Sequence, residues 1–370
     1  MATAEIGLRR LAAQRVASGR CEDPAEVVRR LGALQAQDYR QALWAIGSRM
    51  RRGTVESIER ALSERALVRT WLLRGTIHYA PPEDVRWLLA LVAPRLRAAE
   101  ERRRGQIGLP AAHIDRSAKL LAVALAGGRR LSRPQVMELL EREGIATGGG
   151  HGYHILWRLA QDGLICIGPI SERQQTFVPL DDWAPPAQAR TLSREQSLAE
   201  LAGRFASSRS PVTAHDLARW AGITVAEARR GLATADGLAT TDLARTEHWV
   251  AADEQRPPPA ARRRAYLLAG FDEFVLGYKE RGAILDREHA DKLAPGANGI
   301  FRPMIVAGGR IVGTWSRALR GRQLTITLAP FSPAVPGLVA KVAPDVNRYR
   351  AFLGLPASCR PVVACGPAES

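Results

Sequence analysis

Lysine is scarce in this 370-residue chain, which carries only Lys119, Lys279, Lys292 and Lys341. Lys and Arg nevertheless total 53 against 37 Asp and Glu, so arginine supplies almost all of a formal charge of +16. Such an excess favours polyanionic partners, nucleic acid first, although an arginine-rich vocabulary alone also produces it. Cysteine is scarce too. Cys21, Cys166, Cys359 and Cys365 are too few for a disulfide scaffold and match no zinc spacing, which fits a reducing cytoplasm. No run approaches the roughly 18 apolar residues of a membrane span, and the N-terminal stretch with Arg9, Arg10 and Arg15 lacks an apolar signal core. The expectation is a cytoplasmic protein without membrane association. His151 and His154 have no further ligand cluster beside them except the distant Cys166, so no metal is expected. The Gly148–Gly152 run could offer N–H groups to a phosphate at a helix start, but it fits neither Walker nor Rossmann spacing. A Gly-x-Ser-x-Gly hydrolase element is absent.

An apolar fraction of 46% and a charged fraction of 24% describe a chain that folds, in two to four units at this length. Periodicity predicts helices over 6–18 and from Pro24, where Asp23-Pro24 supplies an N-cap and a first-turn proline. Helices at 41–50 and 55–64 precede a strand pair, 67–71 and 75–79. The same order recurs with helices at 116–126, 134–143 and 151–161 and strands at 164–167 and 175–178. A third copy places helices at 194–206, 213–221 and 224–233 and strands near Leu238 and Trp249. Even wording repeats: Gly144-Ile145 answers Gly222-Ile223, and Asp162-Gly163-Leu164 answers Asp236-Gly237-Leu238. After a linker at 254–264 the pattern turns to strands, with Gly308-Gly309 as a hairpin signal, a strand at 324–328 and a closing helix at 344–353.

Helices followed by a hairpin read as winged helices, whose last helix enters the major groove. Tyr153, Arg158, Arg229 and Arg230 are therefore candidate DNA contacts. The most informative short segment is Leu34-Gln35-Ala36-Gln37-Asp38, lying between two helical patterns. On a helix, side chains two apart diverge, so Gln35 and Gln37 can act together only on extended backbone. The plain alternative is that both amides satisfy helix ends and core carbonyls. Asp272 and Glu273 form an adjacent carboxylate pair, but neighbours in a strand face opposite ways, so a structural role is expected.

Taken together, Gln35-Ala36-Gln37, the 69–78 run RTWLLRGTIH, the 271–279 run FDEFVLGYK and the 308–315 run GGRIVGTW give the chain a family likeness. It resembles the AlkZ-type winged-helix DNA glycosylases over nearly its whole length. The resemblance implies an α+β fold of three tandem winged-helix motifs with a C-terminal β-rich, barrel-like unit. The expected divisions are 1–110, 111–185, 186–253 and 262–370. It also implies a Gln-apolar-Gln catalytic motif at Gln35 and Gln37, and excision of bulky or crosslinked alkylpurines from double-stranded DNA by a monomer. That motif marks the branch linked to self-resistance against DNA-alkylating natural products.

Breaking an N-glycosidic bond leaves an oxocarbenium-like sugar and usually needs help for the leaving base. N7-alkylguanine or N3-alkyladenine is already cationic and departs neutral, so the remaining task is to place a water. Gln35 and Gln37 could orient that water and turn their carbonyl dipoles toward the developing charge. No cofactor is expected, and without a lysine in the motif neither a Schiff base nor strand-cleaving lyase chemistry follows. Asp38, Arg74 and His78 are supporting candidates. The competing reading is a non-enzymatic DNA-binding regulator, since winged helices most often serve binding.

Overall fold

Thr213 and Thr224 each start a helix in the same way. The hydroxyl accepts the N–H of the third helical residue, Asp216 or Glu227, whose carboxylate reaches back to the capping N–H. Ser132 and Gln135 do likewise. At the other end, Gly144 and Gly222 take φ of 73° and 75°, conformations that a side chain would strain. The next N–H then turns back, Ile145 to the Leu140 carbonyl at 2.9 Å and Ile223 to that of Ala218 at 3.2 Å. The repeated wording of the sequence is thus repeated backbone geometry.

The structure is a computed structural model and describes residues 3–172, 174–243, 245–254, 256–297, 299–332 and 336–366. Among the described residues no helix is long and apolar enough to cross a membrane. The architecture is α+β. The order helix, short strand, helix, helix, strand, strand begins at Pro24–Leu31, again at Ala111–Leu125 and again at Arg194–Arg209, where a single bridging residue, Val212, stands for the short strand. The chain forms two compact units, residues 59–197 and residues 1–58 with 198–370. The 24–80 segment is therefore divided between them inside the Val55–Ser63 helix.

In the 59–197 unit, Ile77–Ala80, Val68–Trp71, Ile165–Ile167, Thr176–Pro179 and Leu131–Ser132 follow one another across an antiparallel sheet. The hairpin 68–80 is tied to the His151–Gln161 helix. Trp157 Nε1 donates to the Gly75 carbonyl at 3.1 Å, and Gln161 Nε2 donates to that of Trp71 at 2.7 Å. A 22-residue helix, Val85–Gln106, also belongs to this unit and was not expected from the sequence. Its apolar residues crowd the first half and charge fills the second, so no single stripe announces it.

In the other unit, Leu238–Leu243 and Thr246–Ala251 form a hairpin, to which Val212 adds through a bridge with Trp249. The C-terminal sheet runs Val362–Cys365, Gln323–Pro330, Arg310–Arg320, Met304–Ala307, Ala265–Leu268. The first pairing is parallel and the others antiparallel. Among the described residues the expected barrel-like closure is not seen. This sheet is open, with Ala265–Leu268 at one edge and Val362–Cys365 at the other. It buries its face under the Leu338–Phe352 helix instead of curling on itself. That helix starts earlier than Pro344 and carries the proline inside, held by Val342, Val346, Tyr349 and Phe352 buried along its length.

The aromatic core here positions the N-terminal segment. Trp44 lies edge-on to Tyr349 at 4.8 Å and gives its indole N–H to the Leu267 carbonyl at 2.8 Å. Trp315 repeats both moves, 5.1 Å from Tyr349 and 2.8 Å from the Leu268 carbonyl. Asp345, buried, accepts the Leu267 N–H at 3.1 Å. The Tyr39–Gly47 helix is thereby fixed to the sheet, and with it the segment that precedes it.

Candidate active site

Gln35 and Gln37 sit where the chain crosses from one capped helix to the next. Pro24–Leu31 opens with Asp23, which accepts the Glu26 N–H at 2.8 Å. Leu34–Gln35 is then a short strand, and Asp38 starts Tyr39–Gly47 by accepting the Gln41 N–H at 3.1 Å. The backbone at Gln35 is extended, the condition under which the two amides can work together. Gln37 falls on the bend after the strand and is exposed; Gln35 is buried at 8% exposure, and Ala36 between them is fully buried. A small residue at 36 is therefore what this packing accommodates.

Behind the segment lies a layer of buried charge whose two arginines sequence reading did not find. Glu273 Oε1 accepts the Gln35 backbone N–H at 3.3 Å. Its Oε2 takes the Arg209 guanidinium at 2.7 Å and the Trp220 indole at 2.8 Å. Arg209 continues to the Leu31 carbonyl at 2.9 Å and the Ala33 carbonyl at 3.4 Å, so one cation closes the end of Pro24–Leu31 and steadies the residues leading to Gln35. The guanidinium also lies 4.3 Å from the Trp220 ring.

Asp272 has a separate partner. Arg49 meets it with two hydrogen bonds, 2.9 and 2.8 Å, and donates to Gln14 Oε1 at 2.6 Å. Burial works most strongly against the Arg49 charge, but Asp272, helped by Glu273 and Tyr278, outweighs it and raises the guanidinium above its ordinary pKa. Gln14 passes on to the Tyr278 hydroxyl at 3.0 Å, which donates to the Arg209 carbonyl at 2.9 Å. Burial pushes the Tyr278 hydroxyl up to about 12. The adjacent carboxylates thus diverge as expected, but not along a strand: Asp272 caps the short Glu273–Leu276 helix by accepting the Phe274 N–H at 2.9 Å. The sequence signalled them only as adjacent carboxylates within the 271–279 run. Nothing in the sequence singles out Arg49 and Arg209 among so many arginines.

The remaining candidates fall in different surroundings. Asp38 spends a carboxylate oxygen on its helix cap. His78 is fully buried opposite Thr70 in the hairpin, with Nδ1 2.9 Å from the Thr76 carbonyl oxygen. Arg74 occupies the turn of that hairpin with φ of 57° and is half-buried. Tyr153 is 39% exposed and stands edge-on to Trp71 at 6.2 Å. Arg158, on the same helix, donates to Asp162 at 2.9 Å and faces Glu100 at 3.7 Å, so it is held within acidic neighbours. Arg229 and Arg230 are exposed on Val225–Thr234. Cys166 is buried, and burial pushes its thiol well above the usual range.

A family model described as DNA glycosylase AlkZ-like matches residues 28–352 of this chain. Among curated proteins, an interstrand DNA cross-link repair glycosylase from Streptomyces sahachiroi is 24% identical over 353 residues, covering 90% of this chain and 92% of that protein. Among solved structures, Streptomyces sahachiroi DNA glycosylase AlkZ superposes with a TM-score of 0.79 at 21% identity, over 99% of this chain and 100% of that one. At that identity the structural likeness speaks for the fold.

Proposed function

The chain belongs to the AlkZ-like DNA glycosylase family, and we propose that it hydrolyses the N-glycosidic bond of cationic alkylated purines in duplex DNA, with Gln35 and Gln37 placing the attacking water. The observation that carries this reading is the Gln35-Ala36-Gln37 segment itself, extended at Gln35 and held between two capped helices by the Glu273–Arg209 pair.

In this reading N7-alkylguanine or N3-alkyladenine supplies its own leaving-group activation, because the base leaves as a neutral molecule. The protein has to hold a water under the anomeric carbon and face that carbon with oxygen dipoles as positive charge develops. Two amide carbonyls do both. Neither amide is a strong acid or base, so neutral purines gain no comparable help. The buried carboxylates Asp272 and Glu273 are each bonded to an arginine, and Glu273 braces the Gln35 backbone. Asp38 acts as a helix cap. With no lysine in the motif, the product is an abasic site in an intact strand.

The curated relative is named for interstrand cross-link repair. We assign this chain the same class of bulky or crosslinked adduct, and a role in self-resistance against a DNA-alkylating natural product. The three runs of helix, strand, helix, helix, strand, strand are read as tandem winged helices that grip duplex DNA as a monomer, with Tyr153, Arg229 and Arg230 as contacts. The test is release of free alkylated base from duplex DNA in the presence of a chelator, by chromatography, beside the opening of a defined interstrand crosslink on a denaturing gel. Release with unbroken strands is expected. Binding to one DNA sequence without any release, from simple or bulky adducts, would favour a regulator.

A further inference from the structure

The unit that carries Gln35 also contains a cavity of about 590 Å³ that the proposed chemistry does not use. Its floor is apolar: Leu293 is fully buried, Leu285 nearly so, and Phe301 joins them. Its rim is basic, with Arg219, Lys279, Arg281 and Arg287. Of the acidic groups at the edge, Asp286 already pairs with Arg310 at 2.6 Å, and Asp291 accepts the Gly296 N–H at 3.1 Å; Glu280 is exposed.

Arg281 is the informative side chain. Its Nε donates to the Val275 carbonyl at 3.0 Å, and its guanidinium lies 4.9 Å from the centre of the Phe301 ring. Its Nη2 is buried and has no hydrogen-bond partner among the described residues. Burial pulls its pKa down to about 10, and the neighbouring Arg219 charge adds to the fall while Asp216 and Glu280 oppose it. A buried guanidinium donor left unsatisfied beside a second guanidinium is costly, and an anion bonded to both removes the cost.

We propose that this cavity is a phosphate site taking one backbone phosphate of the bound DNA strand, with Arg219 and Arg281 on its oxygens and the adjoining sugar against Leu285 and Phe301. The proposal rests on the DNA-glycosylase reading and extends it to the grip on the strand. The site is connected to the catalytic segment. Phe301 meets Phe271 edge-on at 6.5 Å, and the Gly270 N–H donates at 2.8 Å to the side chain of Gln41, on the helix that Asp38 begins. A strand held here is therefore registered against the element that follows Gln37. Phe271 itself holds a φ of 56°, a costly conformation for a bulky residue, at the link between the two.

The test measures binding of undamaged and N7-methylguanine duplexes by wild type, Arg219→Gln and Arg281→Gln across a salt series, with deoxyadenosine monophosphate titrated separately by calorimetry. Each variant should bind both duplexes several-fold more weakly, equally so, and lower the slope of log K against log salt by a measurable fraction of the roughly 0.9 that one phosphate contributes. Arg219 is exposed, so Arg219→Gln reports even where Arg281→Gln fails to fold. Wild-type affinity and slope in both variants would overturn the proposal while leaving glycosylase activity standing. Arginine-dependent binding of the mononucleotide with an unchanged DNA slope would assign the cavity to a free nucleotide and overturn it equally. Absence of DNA binding by wild type would instead remove the underlying reading.

Discussion

Glu273 accepts the backbone N–H of Gln35 through one carboxylate oxygen and holds Arg209 through the other. The buried carboxylate bonded to the motif's backbone is thereby committed to bracing it. Glu273 is 1% exposed and Arg209 fully buried, so removing one charge strands the other. Glu273→Gln should cost about 3 kcal/mol or more in denaturant unfolding, the usual penalty for an unpaired buried charge. A loss below about 1 kcal/mol, the range of an exposed pair, would show that the pair does not hold this region.

Asp38 separates capping from catalysis. Asparagine caps a helix about as well as aspartate, whereas alanine forfeits about 1 kcal/mol. Asp38→Asn should therefore keep both stability and base release, and Asp38→Ala should lose stability in a thermal melt. An Asp38→Asn protein that folds but releases no base would make the carboxylate a catalytic group.

His248 gives a pH signature. It is 7% exposed, and burial lowers its pKa; the Thr246 carbonyl and Asp216 oppose the fall while Arg10 and Arg9 add to it. A histidine depressed in the folded state favours its neutral form. The stability it contributes is present above the unfolded-state value of about 6.5 and is lost as pH falls through the lowered folded value. The melting-temperature advantage of wild type over His248→Gln should shrink from about pH 7.5 to about pH 5. An advantage that stays level or grows would refute the assignment.

Local geometry was legible in the sequence wherever a residue type has a single structural use. Asp23-Pro24, Gly144, Gly222 and the Gly308-Gly309 turn all stand where caps and turns require them, while extended backbone at Gln35 was legible only as the condition for the two amides to act together. Long-range pairing was not legible. The Val362–Cys365 strand joins the sheet by a parallel pairing with Gln323–Pro330, and no local pattern announces such a partner. An open sheet and a closed barrel share the same alternation along each strand, so the expected barrel could not be told from what formed. Arg49 and Arg209 were invisible for the same reason: their importance lies in carboxylates 223 and 64 residues away.

The most direct test of the account compares wild type with Gln35→Ala and Gln37→Ala for release of N7-methylguanine from duplex DNA, with chelator present and DNA occupancy matched. At saturating DNA each substitution should lower release by about 100-fold or more, as loss of a water-positioning, charge-facing group does, while binding persists. Undiminished release by both variants would contradict glutamine-dependent placement of the water.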